Sequence, residues 1–384
     1  MKSEFIKPDF CNNIINISAT LAQFLGCPND KPVLENLSKE LRKNYKNIVF
    51  LILDGLGINP VNINLADSSF LKRNVKQTLT SVFPSTTTNA TTTLLTNKYP
   101  MEHGWFGWSL YFEELKRAVD IFPETDSFTR EHIEKGYVRR ALPVEPYYKK
   151  SRTDYTPNVV VPEYWDSDYE NRHVWKTTGE MFEYIRAICK RKGKQFIYAY
   201  CDEPDGTMHR YGVSSPEAHE VINRLDSDIG KLYSELTDTL FIITADHGQI
   251  DIDGYVEIYK DKEITELLEW PQFLEARAAA FKVKRNCHRE FVEIFNNKYG
   301  DDFVLFKVED LIKDNYFGGR LVTRNAKLLG DYIAVGKTNK VMKLTPFSHD
   351  FKGHHTALTE EMTVPLIFTG KKSKKSINFQ KSRL

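Results

Sequence analysis

The sequence predicts an α/β fold with a largely parallel sheet, on the evidence of three apolar runs that alternate with helical patterns. Residues 47–53 are continuously apolar and partly β-branched, which is typical of a strand buried on both faces. Residues 195–200 and 240–244 repeat this pattern. Between these runs the apolar residues recur with the spacing of amphipathic helices. Strands that alternate with helices in this way favour the α/β class.

The remaining elements are predicted from local periodicity and from helix-start signals. In residues 33–43, Leu34, Leu37 and Leu41 share one helix face. Pro216 suits the first position of a helix, where a missing N–H costs nothing. By the same criteria we expect helices at 14–25, 178–190 and 287–297, and strands at 278–283, 331–335 and 364–369.

Two long segments interrupt the alternation, and we expect both to be insertions in a single domain over residues 1–384. Residues 105–172 are rich in aromatic residues and proline, and their pattern predicts a mostly irregular lid. Residues 256–345 contain shorter patterns and predict a small α+β cap.

Composition excludes several classes of function. The 384 residues carry a formal net charge of +1, so no global field would recruit a nucleic-acid polymer or an anionic membrane. No run approaches the ~20 apolar residues of a membrane span, and no signal-peptide core is visible. The five cysteines lack CxxC spacing and are interpreted as reduced thiols of a cytoplasmic protein. The oligomeric state is left open.

The segment 81–104 contains the candidate nucleophile. Pro84 is followed by hydroxyl residues at 85–88, and a helix-length stretch then ends at Tyr99-Pro100. A hydroxyl at a helix start lies in a positive field that favours an oxyanion and a bound phosphate. Thr87 is therefore a candidate nucleophile. The competing interpretation is a helix cap, since hydroxyl side chains also accept from unpaired N–H groups at helix starts.

Acidic and histidine residues follow each of the predicted buried strands. This is the sheet edge at which open α/β folds bind ligands. The candidates are Asp54 after the first run, Asp205 and His209 after the second, Asp246 and His247 after the third, and one of His354 and His355 before the last strand.

These residue types predict a metal centre. Carboxylate oxygen with imidazole nitrogen suits zinc and, less exclusively, manganese or iron. Two such ions about 4 Å apart clamp a phosphoryl group for in-line displacement. We therefore expect two divalent ions, most readily zinc. One would lower the pKa of the Thr87 hydroxyl, and the other would activate water.

The ordered motifs resemble the nucleotide pyrophosphatase/phosphodiesterase family of the alkaline phosphatase superfamily, and are most similar to its bacterial cytoplasmic members. They are ILDGLG (52–57), FPSTT with Thr87, EHG (102–104), EPDGTMHRYG (203–212), ADHG (245–248) and GHHTALTEEMTVPL (353–366). The resemblance implies an alkaline-phosphatase-like, doubly wound sheet with helices on both faces, two zinc ions and a phosphorylated threonine intermediate.

The resemblance also implies which residues bind each ion. One ion would be held by Asp205, His209 and His355, and the other by Asp54, Asp246 and His247. His355 is preferred to His354 because of its spacing to Leu358-Thr359, although Thr356 stands where the family usually has glycine.

Three further residues are candidates for substrate binding. The resemblance leads us to expect an asparagine three residues after the nucleophile, but Ala90 stands there and Asn89 precedes it. Trp105 and Trp108 follow EHG directly and could form a flat wall for a base or another planar group. The alternative for these rings is simple packing of the insertion on the core.

The expected activity is hydrolysis of a small phosphodiester or nucleotide pyrophosphate. Phosphomonoesterase, phosphonate hydrolase and phosphomutase activities of the same superfamily remain as alternatives, as does a binding protein in which the metals are structural. Thr87 in STTTN does not fit the modified Cys or Ser of sulfatases, and the membrane spans of phosphoethanolamine transferases are absent from the sequence.

Overall fold

The computed structural model describes residues 5–165 and 169–372. Within these residues the strands are β1 (Asn47–Leu53), β2 (Val75–Thr80), β3 (Ser109–Phe112), β4 (Arg117–Asp120), β5 (Thr125–Asp126), β6 (Tyr155–Pro162), β7 (Arg172–Trp175), β8 (Lys194–Cys201), β9 (Thr239–Thr244), β10 (Ile250–Asp251), β11 (Gly254–Val256), β12 (Phe273–Glu275), β13 (Ala278–Phe281), β14 (Phe303–Lys307), β15 (Tyr332–Gly336), β16 (Lys340–Met342), β17 (Gly353–His354) and β18 (Thr363–Lys371).

The α-helices are α1 (Ile14–Phe24), α2 (Glu35–Leu41), α3 (Ile58–Asn64), α4 (Phe70–Arg73), α5 (Thr87–Thr96), α6 (Pro100–His103), α7 (Tyr137–Ala141), α8 (Thr178–Lys190), α9 (Asp205–Tyr211), α10 (Pro216–Glu235), α11 (Lys262–Thr265), α12 (His288–Tyr299), α13 (Val308–Lys313) and α14 (Thr323–Ala326). No helix in the described ranges is long and apolar enough to cross a lipid bilayer.

The central sheet has seven strands in the order β2-β18-β9-β1-β8-β6-β7. Strands β9, β1, β8, β6 and β7 run parallel to one another, and β18 is antiparallel to its neighbours β9 and β2. Apolar side chains from this sheet and from α1, α2, α8 and α10 form one continuous core. The α/β fold with a mostly parallel central sheet is therefore confirmed.

Strand β1 lies at the middle of the sheet and fixes the position of the edge at which the candidate ligands lie. All seven of its residues are buried. Its register pairs Leu53 with Cys201 of β8, and Ile52 with Thr244 of β9. Because these parallel strands end together, the residues that follow each strand meet at one edge of the sheet.

A second seven-stranded sheet, in the order β14-β15-β13-β12-β3-β4-β5, is wholly antiparallel. It combines residues 109–126 with residues 273–336, and its apolar side chains form two further clusters. Residues 105–172 were expected to form a mostly irregular lid; within this segment the structure places β3, β4 and β5 in the second sheet and β6 in the central sheet, so the segment contributes to both.

Most predicted elements are present within a few residues of their expected bounds, whereas β2 was not predicted. Its residues alternate between partly exposed and exposed positions, with only Leu79 fully buried. A polar edge strand of this kind has no apolar run to mark it. It is held by its antiparallel pairing with β18.

The helix that follows the hydroxyl run is anchored by a buried histidine. His103 Nε2 lies 3.0 Å from the Thr93 hydroxyl of α5, and His103 Nδ1 accepts from the Trp105 backbone N–H at 3.0 Å. The imidazole is therefore neutral, with its proton on Nε2. Burial lowers the pKa of His103 from 6.5 to about 3.

This buried histidine generates a prediction for acid stability. Between pH 6.5 and about 3 the unfolded chain protonates His103 and the folded chain does not, so the free energy of unfolding falls as the pH falls. We expect His103→Gln to remove this part of the pH dependence, although the variant is less stable at neutral pH. Urea unfolding at pH 7 and pH 5 measures both effects. If acidification lowered the free energy of unfolding equally in the wild-type protein and in His103→Gln, His103 would not be the source of this pH dependence.

Candidate active site

Thr87 is the first residue of helix α5, and Thr86 is its N-cap residue. The Thr87 hydroxyl lies 3.4 and 3.3 Å from the two carboxylate oxygens of Asp54, and 3.2 Å from His247 Nε2. Its side chain therefore points toward the end of β1 and is not the helix cap. The first N–H groups of a helix have no partner within the helix and favour an anion at this position.

Three predicted ligands form a first candidate metal site. Asp205, His209 and His355 each offer one ligand atom, and these atoms lie within 4.8 Å of one another. Asp205 and His209 lie one turn apart on α9, and their side-chain atoms are 3.4 Å apart. His355 Nε2 lies 3.9 Å from Asp205 Oδ1, although the two residues are remote in sequence.

A second candidate site lies beside the first and shares one residue with it. Ligand atoms of Asp54, Asp205 and His247 also lie within 4.8 Å of one another. Asp246 is adjacent, with its Oδ2 3.6 Å from His247 Nε2. This Oδ2 is buried and has no hydrogen-bond partner among the described residues, which fits an oxygen that a cation would bind. The donor set of carboxylates and imidazoles is one that zinc accepts.

Close contact between the loop of Asp54 and the loop of Asp246 places these two carboxylates together. A Cβ built on Gly57 would lie 2.4 Å from the Cα of Gly248, so no side chain fits between the loops. Asp246 Oδ1 accepts from the N–H of Gly55 at 3.1 Å and from the N–H of His247 at 3.0 Å. The DGLG and ADHG motifs therefore form one packed corner.

Each of the three candidate imidazole ligands is oriented by a backbone carbonyl. The Nδ1 atoms of His209, His247 and His355 lie 2.8, 3.0 and 3.0 Å from the carbonyl oxygens of residues 353, 248 and 85, respectively. Nδ1 then donates the hydrogen bond, and Nε2 is the nitrogen that faces the carboxylates of Asp205 and Asp54. This is the usual outer-sphere arrangement of a histidine that binds a metal.

The electrostatics of the site favour a bound cation. Burial, together with the charges of Asp246 and Asp205, raises the pKa of Asp54. Burial alone would lower the pKa of His247, but Asp246 and Asp54 outweigh it and raise the pKa to about 10. Burial and the charge of His247 lower the pKa of His355 well below its ordinary value. A divalent ion would relieve the repulsion among the carboxylates.

His354 and His355 have different roles in this geometry. His354 Nδ1 accepts a hydrogen bond from the His355 backbone N–H at 2.8 Å. His354 is buried like its neighbour but is not part of either three-residue group described above.

The predicted substrate-binding residues are not equivalent. Asn89 is fully buried, and its amide donates to the carbonyl of Pro84 at 2.9 Å, so the structure does not bring it to the metal-ligand group. Trp105 is 4% exposed, and its indole N–H donates to the Leu142 carbonyl at 2.9 Å. Trp108 is 44% exposed.

Thr87 lines two cavities. The larger, of about 710 Å³, is walled by aromatic rings that include Trp105, Phe122 and Trp165. The smaller, of about 370 Å³, is lined by Glu275, Arg130 and His349. Thr87, Asp205 and Trp108 line both. A substrate phosphate at Thr87 would therefore have room for a group in each cavity.

Two residues that touch the predicted ligands were missed in the sequence. The Tyr200 hydroxyl donates to Asp54 Oδ2, and the Gln249 amide donates to the Asp205 carboxylate. Gln249 directly follows ADHG, which is the one sequence signal that could have identified it. Tyr200 lies inside an apolar run and gives no comparable signal.

Comparison with known proteins identifies the family. The sequence model of the type I phosphodiesterase/nucleotide pyrophosphatase family matches residues 48–340. The chain belongs to this family. A segment of 112 residues is 31% identical to human ectonucleotide pyrophosphatase/phosphodiesterase family member 7, and covers 28% of this chain and 23% of the human protein. The rat protein matches over 112 residues at 27% identity, which covers 24% of its length.

Solved structures of this family have the same fold. Murine ectonucleotide pyrophosphatase/phosphodiesterase 5 superposes with a TM-score of 0.63 at 16% identity, and covers 84% of this chain and 88% of the murine chain. Phosphonoacetate hydrolase from Sinorhizobium meliloti, in complex with phosphonoformate, gives 0.61 at 14% identity, with coverage of 85% and 90%. At these identities the likeness concerns the fold alone, and it confirms the alkaline-phosphatase-like architecture.

The geometry predicts unequal effects of removing the two neighbouring histidines. We expect His355→Ala to lose about one equivalent of bound zinc, because its Nε2 faces Asp205. His354→Ala should retain more metal. Zinc content after dialysis against limiting zinc measures the difference. A larger loss in His354→Ala would exchange the two assignments.

Proposed function

We propose that this protein is a two-metal hydrolase that cleaves phosphodiester or nucleotide pyrophosphate bonds through a phosphorylated Thr87. The observation that carries the proposal is the position of the Thr87 hydroxyl. It lies at the start of α5, within 3.4 Å of Asp54 and His247, beside two ligand groups that share Asp205. Membership of the family supports the same chemistry.

The reaction has two balanced steps. In the first, Thr87 Oγ1 gives up its proton and forms a bond to phosphorus as the bond to the leaving oxygen breaks, and the leaving alcohol or phosphate departs with a proton. In the second, a water oxygen attacks the phosphorus as the Thr87 O–P bond breaks, one water proton restores the hydroxyl, and the phosphate monoester is released. The N-terminus of α5 stabilises the negative charge on the phosphoryl oxygens in both steps.

Two divalent ions, zinc by preference, would supply positive charge that lowers the pKa of the threonine hydroxyl and of the attacking water. One would be bound by Asp205, His209 and His355, and the other by Asp54, Asp246 and His247. Tyr200 and Gln249 would hold the carboxylates of Asp54 and Asp205 in place by hydrogen bonds.

The two cavities favour a diester or pyrophosphate over a monoester, since a monoester has only one group to accommodate. Trp108 offers an exposed aromatic face to the larger cavity, which suits a planar group such as a base. A solved structure of inactive murine ectonucleotide pyrophosphatase/phosphodiesterase 5 is a complex with AMP, which supports a small nucleotide as one candidate substrate.

The second candidate function is hydrolysis of a phosphonate, which the likeness to phosphonoacetate hydrolase favours. A parallel turnover screen of the zinc-loaded protein on monoesters, diesters, nucleotide pyrophosphates and phosphonates separates the candidates. A protein that keeps metal and turns over none of them would instead be a binding protein.

All five cysteines are free thiols, which supports a proposal that the protein works in a reducing, cytoplasmic compartment.

The proposal predicts that Thr87→Ala abolishes turnover while the protein keeps its fold and metal content. Loss of the hydroxyl removes the covalent route. It removes no helix cap, so the free energy of unfolding should change by less than the ~1 kcal/mol typical of a cap. Turnover, zinc content and urea unfolding are measured on the same preparation. Thr96→Ala, which removes a hydroxyl from the other end of α5, is the matched control and should remain active. Normal turnover in Thr87→Ala would disprove the mechanism.

The exposed indole predicts a change in selectivity. We expect Trp108→Leu to lower kcat/KM for a nucleotide ester about 5- to 150-fold relative to a small diester without a ring, since base stacking contributes ~1–3 kcal/mol. Trp105→Leu should mainly destabilise the protein, because its ring is buried. Trp270→Leu removes a ring that stacks on Tyr111 and lines neither cavity, and serves as the control. An unchanged ratio in folded Trp108→Leu would exclude stacking.

A further inference from the structure

The loop that carries His355 is held in an unusual conformation. Thr356, the next residue, has a φ of +100°, a backbone conformation that residues other than glycine rarely adopt. Residues in such conformations persist only where their surroundings fix them. A backbone bridge to Ser85, beside the nucleophile, is one such restraint, and the carbonyl of Ser85 also orients His355.

Glu361 supplies a second restraint from inside the protein. Its side chain is fully buried, and its carboxylate accepts from the Ala357 N–H at 3.2 Å and from the Thr359 hydroxyl. Its backbone carbonyl accepts from the Gly248 N–H at 2.7 Å. Gly248 in turn orients His247 through its own carbonyl. Glu361 thus contacts the loops that carry both His355 and His247.

Arg277 connects this glutamate to the second sheet. Arg277 lies in the turn that connects β12 to β13, and its side chain is fully buried. Its Nε lies 2.7 Å from Glu361 Oε1. Nη1 donates to the carbonyls of Thr338 and Lys340 at 2.6 and 2.8 Å. The Arg277 backbone N–H donates to the Thr356 hydroxyl at 3.2 Å. Arg277 therefore joins the antiparallel sheet to Glu361 through its side chain and to the strained Thr356 through its backbone.

We propose that the buried Arg277–Glu361 ion pair is a positioning element for the two ligand loops. It fixes His355 in the first metal site and His247 in the second, although neither charged group contacts a ligand side chain. This inference rests on the proposed function, because it assigns the pair's role to the metal centre. A buried ion pair can often be replaced by apolar residues without loss of stability, so a role in positioning gives a reason for its presence.

The test is metal binding by Glu361→Gln, a substitution that preserves shape and removes the charge. Partners of metal ligands typically contribute 10–100-fold in metal affinity. We expect at least about a tenfold loss of Co²⁺ affinity in Glu361→Gln, with a changed visible spectrum of the Co²⁺-loaded protein. Both readouts are independent of turnover.

The matched control is Asp331→Asn. Asp331 accepts from Lys282 Nζ at 2.8 Å and from the Val283 N–H at 2.9 Å, so it also joins a cation to a backbone group beside the second sheet. It contacts neither ligand loop. This variant should lose stability while its Co²⁺ affinity and spectrum stay those of the unchanged protein.

Arg277→Lys is the second variant, in case Glu361→Gln does not fold. It keeps the charge but cannot reproduce the guanidinium geometry, and we expect a smaller loss of affinity with the same spectral change. Wild-type affinity and spectrum in the folded variants would overturn the positioning role. If the unchanged protein bound no divalent ion, the proposed function would fail first, and this inference with it.

Discussion

Repulsion between carboxylates at one edge of the central sheet is the constraint on which the site depends. Asp54 and Asp246 are buried, and Asp205 lies close by. Removing such charges from water is costly unless they are paired. A protonated His247 offsets part of this cost, as the rise of its pKa to about 10 indicates. Metal ions would displace that proton and take over the same role, which couples metal binding to pH.

Orientation of the imidazoles follows from the same constraint. A histidine that faces this many charges could donate to a carboxylate and be lost as a metal ligand. In the structure, the Nδ1 of each candidate imidazole ligand lies within hydrogen-bond distance of a backbone carbonyl, so Nε2 is the nitrogen left to face the carboxylates and a metal ion. Two of those carbonyls belong to glycines in close backbone contact, since a Cβ on Gly353 would lie 2.6 Å from the Met208 carbonyl oxygen and a Cβ on Gly57 would lie 2.4 Å from the Cα of Gly248. Backbone rigidity therefore maintains the ligand geometry.

The sequence predicted which acidic and histidine residues meet at one edge of the central sheet because its signals are local. Each candidate ligand pair follows or precedes an apolar run, and parallel strands bring such positions together without any knowledge of side-chain contacts. The motifs of the resemblance covered the same residues. The fold class could be predicted for the same reason, because β1, β8 and β9 are buried along almost their whole length and therefore appear in the sequence as apolar runs.

What the sequence could not predict depends on contacts between distant segments. Strand β3 pairs with β12, where Leu274 faces Ser109 across a separation that no local pattern reveals. Asn89 was expected to face substrate, but the first turn of α5 directs its amide back to Pro84. Trp105 and Trp108 differ in exposure although they lie three residues apart. Their difference arises from how the second sheet packs, and not from residue type.

The division between the two sheets also separates chemistry from selectivity. The central sheet supplies the strand ends that bear the carboxylates and most of the imidazoles. The wall residue Trp108 is instead held by Glu275 of β12, whose carboxylate accepts from the Trp108 N–H at 2.7 Å. Burial raises the pKa of Glu275 to about 7, so this contact lies in a dry environment. Substitutions in the second sheet can therefore reshape the cavities while the ligand groups stay in place, except at Arg277, where a charge pair connects the turn between β12 and β13 to Glu361, just before β18.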